Sequence, residues 1–224
     1  MKWLHYLKDK RKLTDEIIET FKLAYCDSLG NIYAHTNFPS TALRLDEKFI
    51  DAVLYPIFDL YDTLIGISAK PLSNTKNRPD YVNTQYKKGQ HLYGLSTTWK
   101  ECLKERKVYV VEGNVDVLTM WKFGIKNVVG LLSSNFSFTQ LCILNRFVDT
   151  ITFIPDGDNA GSKFISNFKK AISKKYSDFD INFKVINLPS GSDPDEFLKD
   201  HSAEELIGLE KDLVITLEDK LKSI

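Results

Sequence analysis

Val108-Tyr109-Val110-Val111-Glu112-Gly113 is the stretch on which the fold turns. Four consecutive β-prone apolar residues read as a strand buried on both faces, and a carboxylate and a glycine stand where it ends. Working outward, residues 114–123 have helical apolar spacing and stop at Gly124. Residues 127–132 read as a strand, and 137–147 as a helix with Ser137 as N-cap. Residues 150–155 read as a strand, 159–175 as a long helix, 181–188 as a strand, and 194–199 open a last helical region. Strand and helix alternate four times, which predicts a mainly parallel sheet with helices on its faces.

Open parallel sheets bind ligands at the carboxyl ends of their strands. The first strand ends in Glu112-Gly113 and the third in Asp156-Gly157-Asp158, so three carboxylates are expected at one sheet edge. Crowded carboxylates raise each other's energy unless a cation or proton offsets the charge. Hard oxygen donors suit Mg²⁺ or Mn²⁺, and the glycines let backbone and ligand approach. That chemistry fits phosphoryl or nucleotidyl transfer. An isolated Asp-Gly-Asp would be read as a turn. It is the upstream strand-Glu-Gly that turns the pattern into a site. A second acidic group, Asp193-Pro194-Asp195-Glu196, has two readings. Asp193 serves as an N-cap ahead of a proline in the first helical turn, while Asp195 is left for a share in a second metal site.

Toward the N-terminus the pattern changes. Residues 3–25 read as helical, with Leu4, Leu7, Ile17, Ile18, Phe21 and Leu23 on buried faces and a helix start at Thr14. A short amphipathic helix is expected at 47–53. Strands at 54–59 and 64–69 would form a hairpin. Residues 70–92 are polar and loop-like; Lys70, Lys76, Arg78, Lys87 and Lys88 face a single acidic residue, Asp80, with Tyr81 and Tyr86 between them. The two parts are expected to meet near 96–106.

Of the 224 residues, 43% are hydrophobic and 27% charged, a balance that suits a globular protein with a real core. Thirty basic and thirty acidic side chains cancel, so a nucleic-acid site has to come from local segregation of charge. Three scattered cysteines form no CxxC pair, which argues against structural zinc and for a reducing compartment. No apolar run approaches the roughly 20 residues of a membrane span. The first residues turn charged too early for a signal peptide, so a cytoplasmic location is expected.

At these residues the pattern becomes specific. Val110 to Val117 and Phe153 to Gly161 resemble the TOPRIM domain shared by bacterial-type primases, topoisomerases and some nucleases. Asp156-Gly157-Asp158-Asn159-Ala160-Gly161 is similar to the primase form DGDxAG, and Leu188 to Glu196 to its LPxGxDPDE. Tyr55-Pro56-Ile57-Phe58-Asp59 with Leu64-Ile65-Gly66-Ile67 resembles the primase FPIxD…VIGF. Tyr81 to Thr84, Lys88-Gly89 and Leu92 to Leu95 resemble its KYLNS…KG…LYGL, and Tyr6 to Phe21 its opening segment. The resemblance runs through nearly the whole chain in the family's order.

The resemblance implies an α/β protein. A TOPRIM-like parallel sheet with flanking helices (101–200) would follow a mixed α+β subdomain with a basic face (1–100), and a helical segment (201–224) would close the chain. A shallow groove between the two would take the single-stranded DNA template and ribonucleoside triphosphates. Glu112, Asp156 and Asp158 would bind catalytic Mg²⁺ or Mn²⁺, two or more ions, with Asp193 and Asp195 adding to the set. Asp116 would be a further acidic active-site residue; without the family it reads equally well as an aspartate of the first helical turn. Lys88 and Asn83 would face template and nucleotides, joined by Lys70, Arg78, Lys87 and Arg11, though each cation taken singly reads as a surface charge. The implied activity is synthesis of short RNA primers during DNA replication.

Departures are visible too. Asp80 stands where the family has a lysine, Lys70 where it usually has arginine, and Arg11-Lys12 where it has Arg-Gly. The zinc-binding and helicase-binding domains of full-length relatives are not within these residues. The expectation is therefore an excised core, a reduced phage- or plasmid-type enzyme, or one subunit of a split enzyme, with helicase coupling and a zinc-bearing subunit as partners supplied from elsewhere. The rival readings are a TOPRIM nuclease and a DNA-binding TOPRIM subunit without catalysis.

Overall fold

The computed structural model describes residues 2–28, 31–34, 45–73, 78–133, 135–171 and 179–213. The chain divides into two compact units, residues 1–87 and 88–224, each built on its own sheet.

The first unit opens with helix α1, Lys2–Leu4 continuing as a wider turn through His5–Lys10, and helix α2, Asp15–Thr20. Thr14 caps α2 by accepting from the Ile17 amide. Its sheet is antiparallel, in the order β2-β1-β3-β4-β5. The strands are β1 (Ala24–Ser28), β2 (Asn31–Ala34), β3 (Ala52–Phe58), β4 (Leu64–Pro71) and β5 (Val82–Asn83). The predicted hairpin is there as β3 and β4, paired from Ala52↔Pro71 to Phe58↔Leu64. The core packs Ala24, Cys26, Phe49, Leu54, Ile67 and Val82.

Two expected helices are shorter than their apolar spacing predicts. Residues 21–25 are not helical: Lys22 takes a positive φ of 52°, the Leu23 amide turns back to Ile18, and Ala24 starts a strand. Likewise only Glu47–Phe49 form a helical turn of the expected 47–53 helix, because Asp51 enters the left-handed region at φ 51° and β3 begins at Ala52. Short apolar runs carry both periods, and a left-handed residue decides between them.

The second unit is a five-stranded sheet in the order β10-β9-β8-β6-β7. Strands β6 (Lys107–Val111), β7 (Val128–Gly130), β8 (Thr150–Ile154) and β9 (Asn182–Ile186) run parallel. Its helices are α3 (Leu95–Glu105), α4 (Asn114–Lys122), α5 (Phe138–Leu144), α6 (Asn159–Ala171), α7 (Pro194–Asp200) and α8 (Ala203–Gly208). Ser137 caps α5 reciprocally with Gln140. The Gln140 side-chain amide also donates to the carbonyls of His91 and Leu131, and Tyr93 bridges Gly130. These bonds tie residues 88–95 to this unit.

The end of the chain differs from the helical expectation for 201–224. After α8 comes strand β10 (Glu210–Asp212), antiparallel to β9; residues 214–224 lie outside the described residues. Strand β10 has no apolar signature. It is pinned by Glu210, which accepts from Lys107 at 2.6 Å, Lys184 at 3.3 Å and Thr152 at 2.6 Å. Among the described residues no helix is long and apolar enough to cross a membrane.

Candidate active site

Strand order reverses at β6: β7 lies on one side of it and β8 on the other. A crevice opens at such a switch point beyond the carboxyl ends of the strands. Val111 and Ile154 are in register there, so Glu112 and the Pro155-Asp156 step leave the sheet side by side. A Glu112 carboxylate oxygen accepts from the Asp156 amide at 3.3 Å. The backbone of one acidic loop thus fixes the side chain of the other.

Three more acids enter from helix starts. Asp116, in the first turn of α4, is buried and accepts from the Gly113 amide at 3.0 Å. Asp193 is the N-cap of α7, accepting from the Glu196 amide at 2.6 Å, and Asp195 is buried in the first turn of the same helix. The expected capping role of Asp193 is therefore met geometrically. The loop holding Asp193 is tied to the Asp-Gly-Asp loop: the Gly157 amide donates to Ser192 O and the Gly191 amide to Gly157 O, both at 2.7 Å. A Cβ on Gly157 would stand 2.1 Å from the Pro189 carbonyl oxygen, so the approach requires glycine. Asp158 is exposed and accepts from the Gly161 amide at 2.8 Å, at the start of α6. Beside these loops lies a cleft of about 690 Å³ lined by Asp156, Gly157, Asp158, Ser162 and Asn187.

The electrostatics follow from crowding. Burial, then the fields of Asp193, Asp156 and Asp195, push the Asp116 carboxyl up to about 8. Burial, then Glu112, Asp193 and Asp158, push Asp156 up to about 7. Glu112 is raised by burial and by Asp158, against the pull of the Asp156 amide. One Asp156 carboxylate oxygen is buried with no hydrogen-bond partner. A buried anionic oxygen left without a partner, in a set of hard oxygen donors that raise each other's proton affinity, is what a divalent cation relieves. The residues fit such an ion. Among the described residues no group of three His, Cys, Asp or Glu side chains is gathered closely enough to hold one alone.

Most of the expected basic residues have partners of their own within the first unit. Lys70 bonds Asp80 at 3.0 Å and lies over the Tyr81 ring. The two departures from the family pattern, Lys70 and Asp80, are thus each other's partners. Arg78 donates to Ser73 at 2.9 Å, to Lys48 O at 2.8 Å and to Ile50 O. These bonds tie Arg78 to Ser73 and to the Lys48 and Ile50 carbonyls, partners with which a phosphate would have to compete. Asn83 accepts from the Tyr86 hydroxyl at 3.1 Å. Arg11 donates to the Tyr6 hydroxyl at 3.1 Å and lies over its ring. Lys87 is exposed and Lys88 half-buried. Sequence reasoning missed Thr119, whose hydroxyl donates to Asp195 at 2.6 Å. Its signal was the three-residue spacing from Asp116, which puts both on one helix face.

Comparison with known proteins agrees with this geometry. Residues 1–98 match the family described as DNA primase catalytic core, N-terminal domain, and residues 109–198 match a Toprim-like family. The DNA primase of Aquifex aeolicus is 35% identical over 165 residues, 71% of this chain and 32% of that protein. A DNA primase domain from Pseudomonas aeruginosa has a TM-score of 0.77 at 27% identity, over 95% of this chain and 73% of that one. The fold is also shared, with a TM-score of 0.79 at 23% identity, by a DnaG primase catalytic domain solved bound to single-stranded DNA, over 99% of this chain and 75% of that one. The chain spans between 29% and 42% of the length of the first curated relatives it matches, all DNA primases. Toprim domains generally bind divalent metal ions, as the crowded acids here require. Both matches fall in the family's order, and each lies on one of the two sheets: the chain belongs to the DnaG-type primase catalytic-core family.

Proposed function

We propose that this chain is a primase core that synthesises short RNA primers on single-stranded DNA by metal-dependent nucleotidyl transfer. The observation that carries the reading is the acidic edge beyond β6 and β8, where Asp156 keeps a buried oxygen without a partner. The relative solved with single-stranded DNA supports the choice of template.

In this reading Glu112, Asp156 and Asp158 hold Mg²⁺ or Mn²⁺, two or more ions, with Asp193 and Asp195 sharing in the set. When bound, the ions supply activation of the primer 3′-hydroxyl and neutralisation of charge on the triphosphate. The protein's own part is to position the donors. The Asp156 amide holds the Glu112 carboxylate in place. The Gly157–Ser192 and Gly191–Gly157 bonds lock the two acidic loops together, so the donors are arranged before substrate arrives. Asp116 is buried, held by the Gly113 amide, in the first turn of the helix that follows Glu112. No side chain serves as nucleophile, because the attacking oxygen belongs to the primer. Lys87 and Lys88 are proposed phosphate contacts. Lys70, Asn83 and Arg11 contribute in proportion to how readily they leave their present partners.

The test is primer synthesis from labelled ribonucleotides on single-stranded DNA of mixed sequence, with Mg²⁺ or Mn²⁺ and an Asp156→Ala control. Template-dependent RNA that disappears in the control is the expected outcome. Degradation of the DNA would move the assignment to a nuclease, and absence of any product with both metals would overturn it.

A further inference from the structure

Asp195 is not explained by the helix that carries it. The cap of α7 is Asp193, and the Asp195 side chain reaches instead toward a different element. Its Oδ1 accepts from the Thr119 hydroxyl of α4 at 2.6 Å, a contact 76 residues back in the chain. Thr119 is 2% exposed and Asp195 8%. The length is that of a short O–H···O hydrogen bond.

Thr119 departs from what threonine ordinarily does inside a helix, where the hydroxyl turns back to a carbonyl of the preceding turn. Here it points across to α7. It also lies one turn after Asp116 on the same face of α4, so one helix face presents both an acid and a hydroxyl to the acidic edge. A buried carboxylate has a free torsion about its terminal bond unless something fixes it. A short bond to one oxygen fixes that torsion.

We infer that Thr119 is the positioning residue of the acidic edge: its hydroxyl orients the Asp195 carboxylate for a divalent cation and couples α4 to α7 at the site. The inference rests on the proposed metal-dependent reading. Partners that orient a metal-binding group without touching the ion change affinity about 10- to 100-fold when removed.

The experiment is direct Mn²⁺ binding to the full chain, followed by the paramagnetic signal of free Mn²⁺, in wild type, Thr119→Val, Thr119→Ser, Asp195→Asn and the Val/Asn double variant. Thermal unfolding in chelator runs beside it. Valine keeps the shape and loses the hydroxyl. The expected result is about 10-fold or greater weakening in Thr119→Val, recovery to within about 3-fold in Thr119→Ser, and a double variant no weaker than Asp195→Asn alone. Wild-type affinity in Thr119→Val overturns the inference, as does a serine variant as weak as the valine one. If all variants bind alike in proportion to lost thermal stability, Thr119 is only a packing residue and the inference also fails. A wild-type chain that binds no Mn²⁺ overturns the metal-dependent reading itself, so the two failures are distinguishable.

Discussion

The first unit and the acidic edge of the second treat charge in opposite ways. In the first, carboxylates stand beside cations: Asp51 takes Lys2 at 2.7 Å, Asp62 takes Lys22 at 2.5 Å, Asp15 takes Lys8 at 2.6 Å, and Asp80 takes Lys70 at 3.0 Å. In the second, at the edge of the parallel sheet, no lysine or arginine among the described residues forms an ion pair with Glu112, Asp116, Asp156 or Asp158. The consequence shows in proton affinity. Burial pulls Asp51 upward, but donation from Lys2, Tyr25 and Ser73 outweighs it and holds that carboxyl below its ordinary value. Asp116 and Asp156 move the other way, to about 8 and about 7. Paired charges here maintain a shape, whereas gathered like charges mark a place kept for a cation supplied from outside.

The strongest way to break that contrast is Asp156→Asn. It removes the charge and keeps the size. If the edge exists for a cation, primer synthesis should fall about 10³-fold, the equivalent of several kcal/mol of lost charge stabilisation. At pH 8 in chelator the same variant should be more stable than wild type, because a buried repulsion is gone. Single-turnover rates and urea unfolding check the two halves separately. A variant that loses activity and stability together would make Asp156 structural.

The pH dependence of stability sharpens the same contrast. For Asp116 and Asp156 the folded values lie above the unfolded 3.8, so between about pH 4 and pH 8 the folded state binds more protons than the unfolded. Their contribution is fully present below the unfolded value and is lost as pH rises through about 7 to 8. In chelator, stability should fall by several kcal/mol from about pH 5 to about pH 8.5. Asp51, lowered instead, contributes above its unfolded value and loses that only in acid. Mn²⁺ should cancel the alkaline loss, and Asp116→Asn should flatten it. A flat urea-midpoint profile in chelator would remove the crowded edge from the argument.

How much of this was legible depended on what kind of signal carried it. The parallel sheet was, because Val108–Val111 is a continuous apolar run and the three β-prone segments after it are separated by helical spacing, and that pattern survives without tertiary information. The acidic edge followed from strand ends. Strand β10 was hidden, since Glu210, Lys211 and Asp212 have no apolar period and are held by ions from Lys107 and Lys184 far back in the chain. Strand β1 was hidden for another reason. Leu23-Ala24-Tyr25 extends the helical period of Ile17 and Phe21, and only the left-handed turn at Lys22 ends the helix. Side-chain partnerships such as Thr119–Asp195 and Arg78 with its carbonyls depend on which elements meet, which periodicity does not encode.

Gly157 tests whether the acidic loops act as one body. An added methyl must displace the Pro189 carbonyl at 2.1 Å and with it the paired backbone to Ser192 and Gly191. Gly157→Ala should cost about 1–3 kcal/mol of stability and weaken Mn²⁺ binding, since Asp156 and Asp193 would separate. Gly191 has open space around its Cβ position but a φ of 82°. Gly191→Ala should therefore cost about 1–2 kcal/mol through backbone strain alone, with a smaller effect on the ion. Equal effects of the two variants on Mn²⁺ affinity would mean the loops are not mechanically coupled.

The smallest effect belongs to the first unit, at the one pair formed by two departures from the family pattern. Asp80 is 94% exposed at its side chain and Lys70 24%, so their bond is worth well under about 1 kcal/mol. Asp80 nevertheless occupies the ammonium group that a phosphate would otherwise take, and it places a negative charge beside it. Asp80→Asn should therefore tighten single-stranded DNA binding by about 2- to 5-fold at low salt and steepen the salt dependence by somewhat less than one phosphate contact. Lys70→Met should do the reverse from wild type and abolish the gain in the Asp80→Asn background. Fluorescence anisotropy across a salt series reads both. If Asp80→Asn leaves affinity and slope unchanged while Lys70→Met does likewise, Lys70 is a cation held for the sake of Tyr81 and Asp80, and the first unit's paired charges are structural throughout.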